Sequence, residues 1–123
     1  MAVSQEHRHQ AAVIKACAAA SWRYPEAALI FAIPNGGHRN KVAAKRLKDE
    51  GVRSGVPDLM LPVPRGGYHG LFIELKVGTN APSTSQGAWA EVLMGQGYLV
   101  LTCYGAQAAT DAIQRYLEGG YAR

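Results

Sequence analysis

Two short stretches decide the fold: GVPDLM at residues 55–60 and LFIELK at residues 71–76. Both are apolar enough to predict strands, and the turn signal PRGG at residues 64–67 predicts that they pair as an antiparallel hairpin. Side chains alternate between the two faces of a strand, so Glu74 and Lys76 share one face while Ile73 and Leu75 share the other. The pattern therefore places a carboxylate and an ammonium side by side in an apolar strand.

Charged side chains in such a strand are expected to have a partner, because burying a charge costs several kcal/mol unless it is paired or binds a metal. Asp58 opens the first strand, and the hairpin can bring it beside Glu74. Two carboxylates and the backbone carbonyl of Leu75 would form an oxygen-rich site for Mg²⁺ or Mn²⁺. Lys76 would then orient an attacking water or stabilise charge on a phosphate. The structural alternative is a cross-strand salt bridge between Lys76 and Asp58 or Glu74.

The rest of the chain predicts elements that surround this hairpin. Periodicity and capping signals indicate helices at 5–20, 41–50, 83–93 and 106–117, and strands at 27–33, 58–63, 71–77 and 98–104. The order α-β-α-β-β-α-β-α predicts an α/β domain with a central mixed four-stranded sheet flanked by helices. Its length of 123 residues suits a single domain over residues 1–123. We expect Ala43 and Leu47 to lie on the face of the second helix that packs against the core.

The charge is unevenly distributed. The net charge is +4, but residues 1–65 carry +5 and residues 66–123 carry −1. A one-sided basic balance favours a polyanionic partner, nucleic acid first. The candidate contacts to a DNA backbone are Arg39, Lys41, Lys45, Arg46, Lys48 and Arg53. The alternative is a basic face that is merely solvated.

Several classes of protein are excluded by the sequence. Two cysteines, Cys17 and Cys103, are too few for a disulfide scaffold or a four-cysteine zinc site. No apolar stretch is long enough to span a membrane, and no secretory signal is visible. No phosphate-binding or dinucleotide-binding glycine motif indicates an organic cofactor. We therefore expect a cytoplasmic protein without membrane partners.

The pattern of Pro57-Asp58 followed by Glu74-Leu75-Lys76 resembles the PD-(D/E)xK nucleases. More narrowly, the chain resembles the virus-type replication-repair nuclease (VRR-NUC) domain, in the stand-alone form found in phages and bacteria. The matching text spans nearly the whole chain: QE at 5–6, PNGG at 34–37, GVPDL at 55–59, LFIELK at 71–76, STSQ at 83–86, Trp89 and GY at 97–98. This resemblance implies a restriction-endonuclease-like domain that cleaves DNA with Mg²⁺ or Mn²⁺ in a bacterial or phage-infected cell.

The resemblance also implies roles for individual residues. Asp58 and Glu74 would be metal ligands together with Glu6 from the first helix, and Lys76 would be the catalytic lysine. Gln86, near the start of its helix, would complete the site. Stand-alone members resemble homodimeric resolvases of four-way (Holliday) junctions, whereas larger relatives act on flaps. Those larger members carry charges after the lysine, but residues 77–90 here carry none, so their substrate preference does not transfer.

Other interpretations remain open from the sequence. A non-catalytic DNA-binding module could keep the same fold, and a flap-directed or sequence-directed nuclease could carry the same residues. His38, in a glycine-rich stretch, could approach a phosphate or belong to a loop. His69 precedes the strand of Glu74, where packing at the strand edge is the simpler interpretation.

Overall fold

The computed structural model describes residues 4–34 and 40–123 of the chain. Predictions for Arg39 and His38 therefore lie outside the described residues. The helices and strands in chain order are α1 (Gln5–Ala19), β1 (Phe31–Ala32), α2 (Lys41–Asp49), β2 (Leu59–Leu61), β3 (Leu71–Lys76), α3 (Thr84–Gly95), β4 (Leu99–Tyr104) and α4 (Ala106–Leu117). Two 3-10 helices, Ala20–Trp22 and Pro25–Leu29, lie between α1 and β1.

Side chains that accept hydrogen bonds fix where the helices begin. Ser4 accepts from the third N–H of α1, and Asn40 does the same for α2. Ser83 caps α3 in a reciprocal capping box. Helix α4 follows a glycine and lacks a capping side chain of its own, but His9 Nδ1 accepts the N–H of Ala106 at 2.9 Å. That bond ties the second turn of α1 to the first residue of α4.

The four strands form one mixed sheet in the order β1-β2-β3-β4. Strands β1 and β2, and β2 and β3, pair antiparallel, while β3 and β4 pair parallel through the crossover helix α3. The predicted α/β architecture, including the hairpin and the order of elements, is confirmed. Within the described residues, no helix is both long and apolar enough to cross a bilayer.

The two faces of the sheet differ in chemistry. One face carries the core, where α1 and α4 pack on buried apolar side chains, which are Leu59, Leu61, Leu71, Ile73, Leu75, Leu99 and Cys103. The other face presents Phe72, Glu74 and Lys76 from β3, and α3 lies against the strand beside them. Helix α4 contributes four buried side chains to this core: Ala109, Ile113, Tyr116 and Leu117. The sheet thus separates the hydrophobic core from the polar face.

The predicted first strand is largely wrong. The segment predicted as a strand over 27–33 contains the end of the 3-10 helix Pro25–Leu29, and only Phe31–Ala32 pairs with β2. Pro25 occupies the first turn of that helix, where proline fixes a helical φ, and Pro34 lacks the N–H that a ladder needs. The apolar run therefore contains the end of a 3-10 helix followed by a short edge strand.

The core-facing prediction for α2 also needs correction. Ala43 and Leu47 are only half-buried, and none of the residues of α2 is buried. Five of its nine residues are charged, and burying them would cost more free energy than the few apolar contacts return. Helix α2 is therefore a surface element that presents cations.

Candidate active site

Asp58 is fixed at the start of β2 by backbone hydrogen bonds to β3. Its N–H donates to the carbonyl of Ile73 at 3.0 Å, and its Oδ2 accepts the N–H of Leu75 at 2.7 Å. The carboxylate is therefore oriented by the strand that carries Glu74. The charge of Asp58 and its hydrogen bond to Glu74 both raise the pKa of the Glu74 carboxyl. The hairpin brings the two carboxyls together as the sequence pattern predicted.

Glu74 is a buried carboxyl with an unsatisfied oxygen. The residue is 5% exposed, and its Oε2 has no hydrogen-bond partner within the described residues. Burial raises the pKa of Glu74 to about 8, and the charge of Asp58, a hydrogen bond to Asp58 and the charge of Glu6 raise it as well. The positive charge of Lys76 lowers this pKa but does not offset the burial. Such a group is stabilised when a cation or proton joins it.

Lys76 is held by a neutral amide. Its Nζ donates to Gln86 Oε1 at 2.8 Å, and the same oxygen accepts the N–H of Ser83 at 2.8 Å. Ser83 Oγ in turn accepts the N–H of Gln86, so one capping box fixes both the start of α3 and the acceptor of the lysine. The structure brings Lys76 and Gln86 together, and their catalytic roles stay predictions. A neutral acceptor leaves the ammonium charge available to an anionic substrate.

A glycine sets how closely α3 approaches the start of β2. Gly55 has φ of +90°, and a Cβ there would lie 2.8 Å from Ser85 Oγ and 2.9 Å from the Ser85 backbone carbon. Such distances require the first turn of α3 to move. Since Gln86 follows Ser85, Gly55 keeps the acceptor of Lys76 in place.

We expect Gly55→Ala to destabilise the protein more than Gly51→Ala. Both glycines have positive φ, so both substitutions add backbone strain of about 1–2 kcal/mol, but a Cβ at Gly51 meets nothing within 4 Å. Urea unfolding measures the difference in the free energy of unfolding between the two variants. Equal losses in both variants would show that the contact with Ser85 is unimportant.

Strand β4 extends the polar face, which the sequence reasoning missed. Thr102 pairs in register with Glu74, and Tyr104 pairs with Lys76, so these side chains share a face. A cavity of about 50 Å³ beside them is lined by Glu74, Gln86, Thr102, Gly55, Pro57 and Val100 among others. The alternation in LVLTCY at residues 99–104 is the signal that could have found them, since it separates Thr102 and Tyr104 from the buried Cys103.

The donor set suits a hard divalent cation. Asp58 and Glu74 offer carboxylate oxygens, and the buried, unpartnered Glu74 Oε2 lacks the partner that buried polar atoms normally have. In residues 4–34 and 40–123, no three His, Cys, Asp or Glu side chains form a group that could hold a metal ion. Glu6 therefore does not form a three-carboxylate group with Asp58 and Glu74 here, although its negative charge raises the pKa of Glu74. Its role as a ligand, like that of the Leu75 carbonyl, stays a prediction.

The remaining candidates make other contacts. Lys45 forms an ion pair with Asp49 at 3.0 Å, and Lys48 and Arg53 line a surface groove of about 270 Å³ between α2 and the segment after it. His69 lies at the opposite end of β3 from Glu74, where its N–H donates to Gly97 and its ring packs edge-on to Tyr98. The packing interpretation of His69 therefore fits its position.

The sheet with Asp58, Glu74 and Lys76 at one end defines an α/β domain of nuclease type. The sequence model of the VRR-NUC domain matches residues 4–107, so the chain belongs to the VRR-NUC family. It is also similar to a solved chain described as a "VRR_NUC domain protein", with 28% identity and a TM-score of 0.71 over 100% of this chain and 96% of that one. No curated protein matches the sequence.

The raised pKa of Glu74 predicts how stability depends on pH. Its value of about 8 in the folded chain exceeds the ordinary 4.5, so the folded state holds a proton that the unfolded state releases between these pH values. Stability from this group is therefore full below pH 4.5 and is lost as the pH rises to about 8. Glu74→Gln stays neutral, so we expect it to exceed the wild type in stability increasingly over this range, by a few kcal/mol in total at about 1.4 kcal/mol per pKa unit.

Urea unfolding in EDTA at several pH values measures this difference. Glu91→Gln, on the exposed surface of α3, is the matched control and should follow the wild-type pH dependence. Parallel curves for Glu74→Gln and the wild type would contradict the assignment of a raised pKa to Glu74.

Proposed function

We propose that this protein is a Mg²⁺- or Mn²⁺-dependent endonuclease that hydrolyses phosphodiester bonds in branched DNA. The observation that carries this proposal is the buried Glu74 carboxyl, whose Oε2 has no hydrogen-bond partner within the described residues, beside Asp58 and next to a lysine that is held by a neutral amide. Membership of the VRR-NUC family supports nuclease activity with DNA as the substrate. The charge pattern of residues 1–65 supports a polyanionic partner.

Each residue of the site then has a defined task. Asp58 and Glu74 would hold the ion, which when bound polarises the phosphate and lowers the pKa of a water. Lys76 would donate hydrogen bonds to the attacking water or to a phosphate oxygen while the water oxygen bonds to phosphorus and the ester P–O bond breaks. The water loses one proton in this step, and the departing ester oxygen gains one from solvent, so the products are a phosphate monoester and a free hydroxyl. Gln86 positions Lys76 at 2.8 Å, and Ser83 positions Gln86. The chain itself thus supplies orientation and charge stabilisation.

Paired incisions across a junction require two active sites. One chain offers one Asp58–Glu74–Lys76 set within its described residues, so we propose that two copies act as a homodimer related by two-fold symmetry. The mass of the protein alone and on a four-way junction, measured by light scattering, tests this arrangement. A monomeric complex that still makes paired cuts would contradict it.

The decisive experiment incubates the protein with end-labelled four-way junction, flap and linear duplex in Mg²⁺, Mn²⁺ or EDTA. We expect cleavage of the branched DNAs with either metal and none in EDTA. Preferred cutting of flaps would identify a flap-directed nuclease, and cutting of the duplex at a defined sequence would identify a sequence-directed one. Binding without cleavage under every condition would identify a DNA-binding module and would refute the proposal.

The basic face of α2 is the proposed contact to the DNA backbone. Lys41 and Lys48 lie two helical turns apart on one face, while the charge of Lys45 is already paired with Asp49. We expect Lys41→Gln with Lys48→Gln to weaken binding to every DNA sequence alike. If each lysine contacts one phosphate, the slope of log K against log salt falls by about 0.9 per lysine on duplex DNA.

Fluorescence anisotropy at several salt concentrations measures this slope. Lys15→Gln removes one exposed cation from α1 and is the matched control, with no expected change in slope. An unchanged slope in the double variant would show that the face is only solvated and that DNA enters from another side.

A further inference from the structure

An aromatic ring is displayed beside the lysine of the proposed active site. Tyr104 ends β4 in register with Lys76, and the N–H of Gly105 donates to the Lys76 carbonyl at 2.8 Å. Neighbouring strands lie about 4.8 Å apart, so Tyr104 lies one strand away from Lys76, and the two side chains leave the same face of the sheet. A phosphate bound by Lys76 would therefore bring its attached nucleoside next to Tyr104.

The ring is held in place and yet remains open to solvent. The Tyr104 hydroxyl donates to the Asn80 carbonyl at 3.0 Å, in the connection between β3 and α3, and the residue is 46% exposed. By contrast, Tyr116 also donates to a backbone carbonyl but is completely buried in the core. The Tyr104 hydroxyl therefore has a hydrogen-bond partner while the residue as a whole stays accessible to a ligand.

The chemistry around the ring favours an uncharged contact. Residues 77–90, which include the connection that holds the hydroxyl, carry no charge. Side chains here therefore cannot form ion pairs with phosphates, whereas a fixed aromatic face can stack on a nucleobase. We propose, resting on the proposed nuclease function, that Tyr104 stacks on the base next to the scissile phosphate.

This contact selects a class of substrate. In a continuous duplex, both faces of a base are covered by its neighbours, so stacking on Tyr104 requires that the base leaves the helix. That cost is smallest where the nucleotide is unpaired, as at a branch point or the root of a flap. Tyr104 therefore favours DNA with an unpaired nucleotide beside the cut, and it does so without reading its sequence.

The test places 2-aminopurine, whose fluorescence falls when it stacks, at an unpaired branch-point nucleotide. The wild type, Tyr104→Phe and Tyr104→Leu are added in EDTA, so that binding is observed without cutting. We expect the wild type and Tyr104→Phe to quench the probe and Tyr104→Leu not to. Single-turnover cleavage of branched DNA in Mg²⁺ should fall about tenfold or more in Tyr104→Leu, while slow cleavage of continuous duplex should not change.

Controls separate the possible failures. Trp22→Leu removes a ring that is 81% exposed but lies on the 3-10 helix after α1, and it should quench and cleave as the wild type does. Quenching by Tyr104→Leu at the wild-type level would overturn the inference. An equal loss in Tyr104→Phe would also overturn it, because the hydroxyl tether to Asn80 would then be responsible. If the wild type cuts no DNA, the proposed function fails, and the quenching comparison in EDTA still decides the role of Tyr104.

Discussion

Glu74→Gln is expected to reduce the single-turnover rate of cleavage by about a thousandfold or more, which corresponds to about 4 kcal/mol of lost transition-state stabilisation. The amide keeps the size of the buried side chain but cannot supply a negative oxygen ligand. Asp58→Asn should act in the same direction, since its amide oxygen can still accept the Leu75 N–H while the charge is lost. Quenched-flow cleavage of a labelled junction measures both rates.

Binding of DNA should survive these two substitutions. Neither carboxylate is expected to contact the phosphate backbone directly, and Asp58→Asn also removes a negative charge that repels DNA. Affinity measured in EDTA should therefore stay equal to that of the wild type or increase. Glu91→Gln is the matched control, with wild-type cleavage and affinity. A wild-type rate of cleavage in Glu74→Gln would contradict the proposal that Glu74 holds the metal ion of a nuclease site.

The protonation of Glu74 should make metal binding at this site depend on pH. With a pKa of about 8, the carboxyl is largely protonated at neutral pH until a cation competes for it. Binding of the proposed metal should therefore release a proton below pH 8, and the apparent metal affinity should rise with pH up to that value. Isothermal titration of Mn²⁺ in buffers of different ionisation enthalpy measures the released proton, and Glu74→Gln should release none from this position.

The pairing of Asp58 with Glu74 could be predicted because it depends on local rules. Strand alternation and a glycine-proline turn fix which side chains of a hairpin share a face, and both can be recognised in the sequence of residues 55–76. The contact between Lys76 and Gln86 was implied by resemblance alone, since a helix start ten residues away has no fixed direction until the chain packs.

Other features depend on contacts that the sequence does not specify. The positions of Thr102 and Tyr104 follow from the parallel register of β3 and β4, which the path of α3 determines. The 3-10 helix at Pro25–Leu29 replaces most of a predicted strand, because a short apolar run is ambiguous from its pattern and Pro25 favours a helical first turn. The pKa of Glu74 reflects every group around it, so only the folded environment reveals it.

Lys76→Ala is expected to slow cleavage by about a hundredfold or more, because it removes the cation that we propose lies next to the reacting phosphate. Lys76 donates to a neutral amide, and Gln86 Oε1 keeps the N–H of Ser83 as a donor when the lysine is gone. The variant therefore leaves no orphaned acceptor, and its free energy of unfolding should change by about 1 kcal/mol or less. Single-turnover rates at saturating enzyme and thermal melts of the same samples measure the two effects.

Metal affinity provides the control for this variant. The charge of Lys76 lowers the pKa of Glu74, so its removal should raise that pKa further and weaken metal binding at neutral pH only through competition with the proton. Measurements well above pH 8 remove most of that competition, and there the metal affinity of Lys76→Ala should approach that of the wild type while cleavage stays slow. A variant that loses stability but keeps its rate per folded molecule would instead show that Lys76 serves the fold, as an ion-pair partner of the carboxylates would.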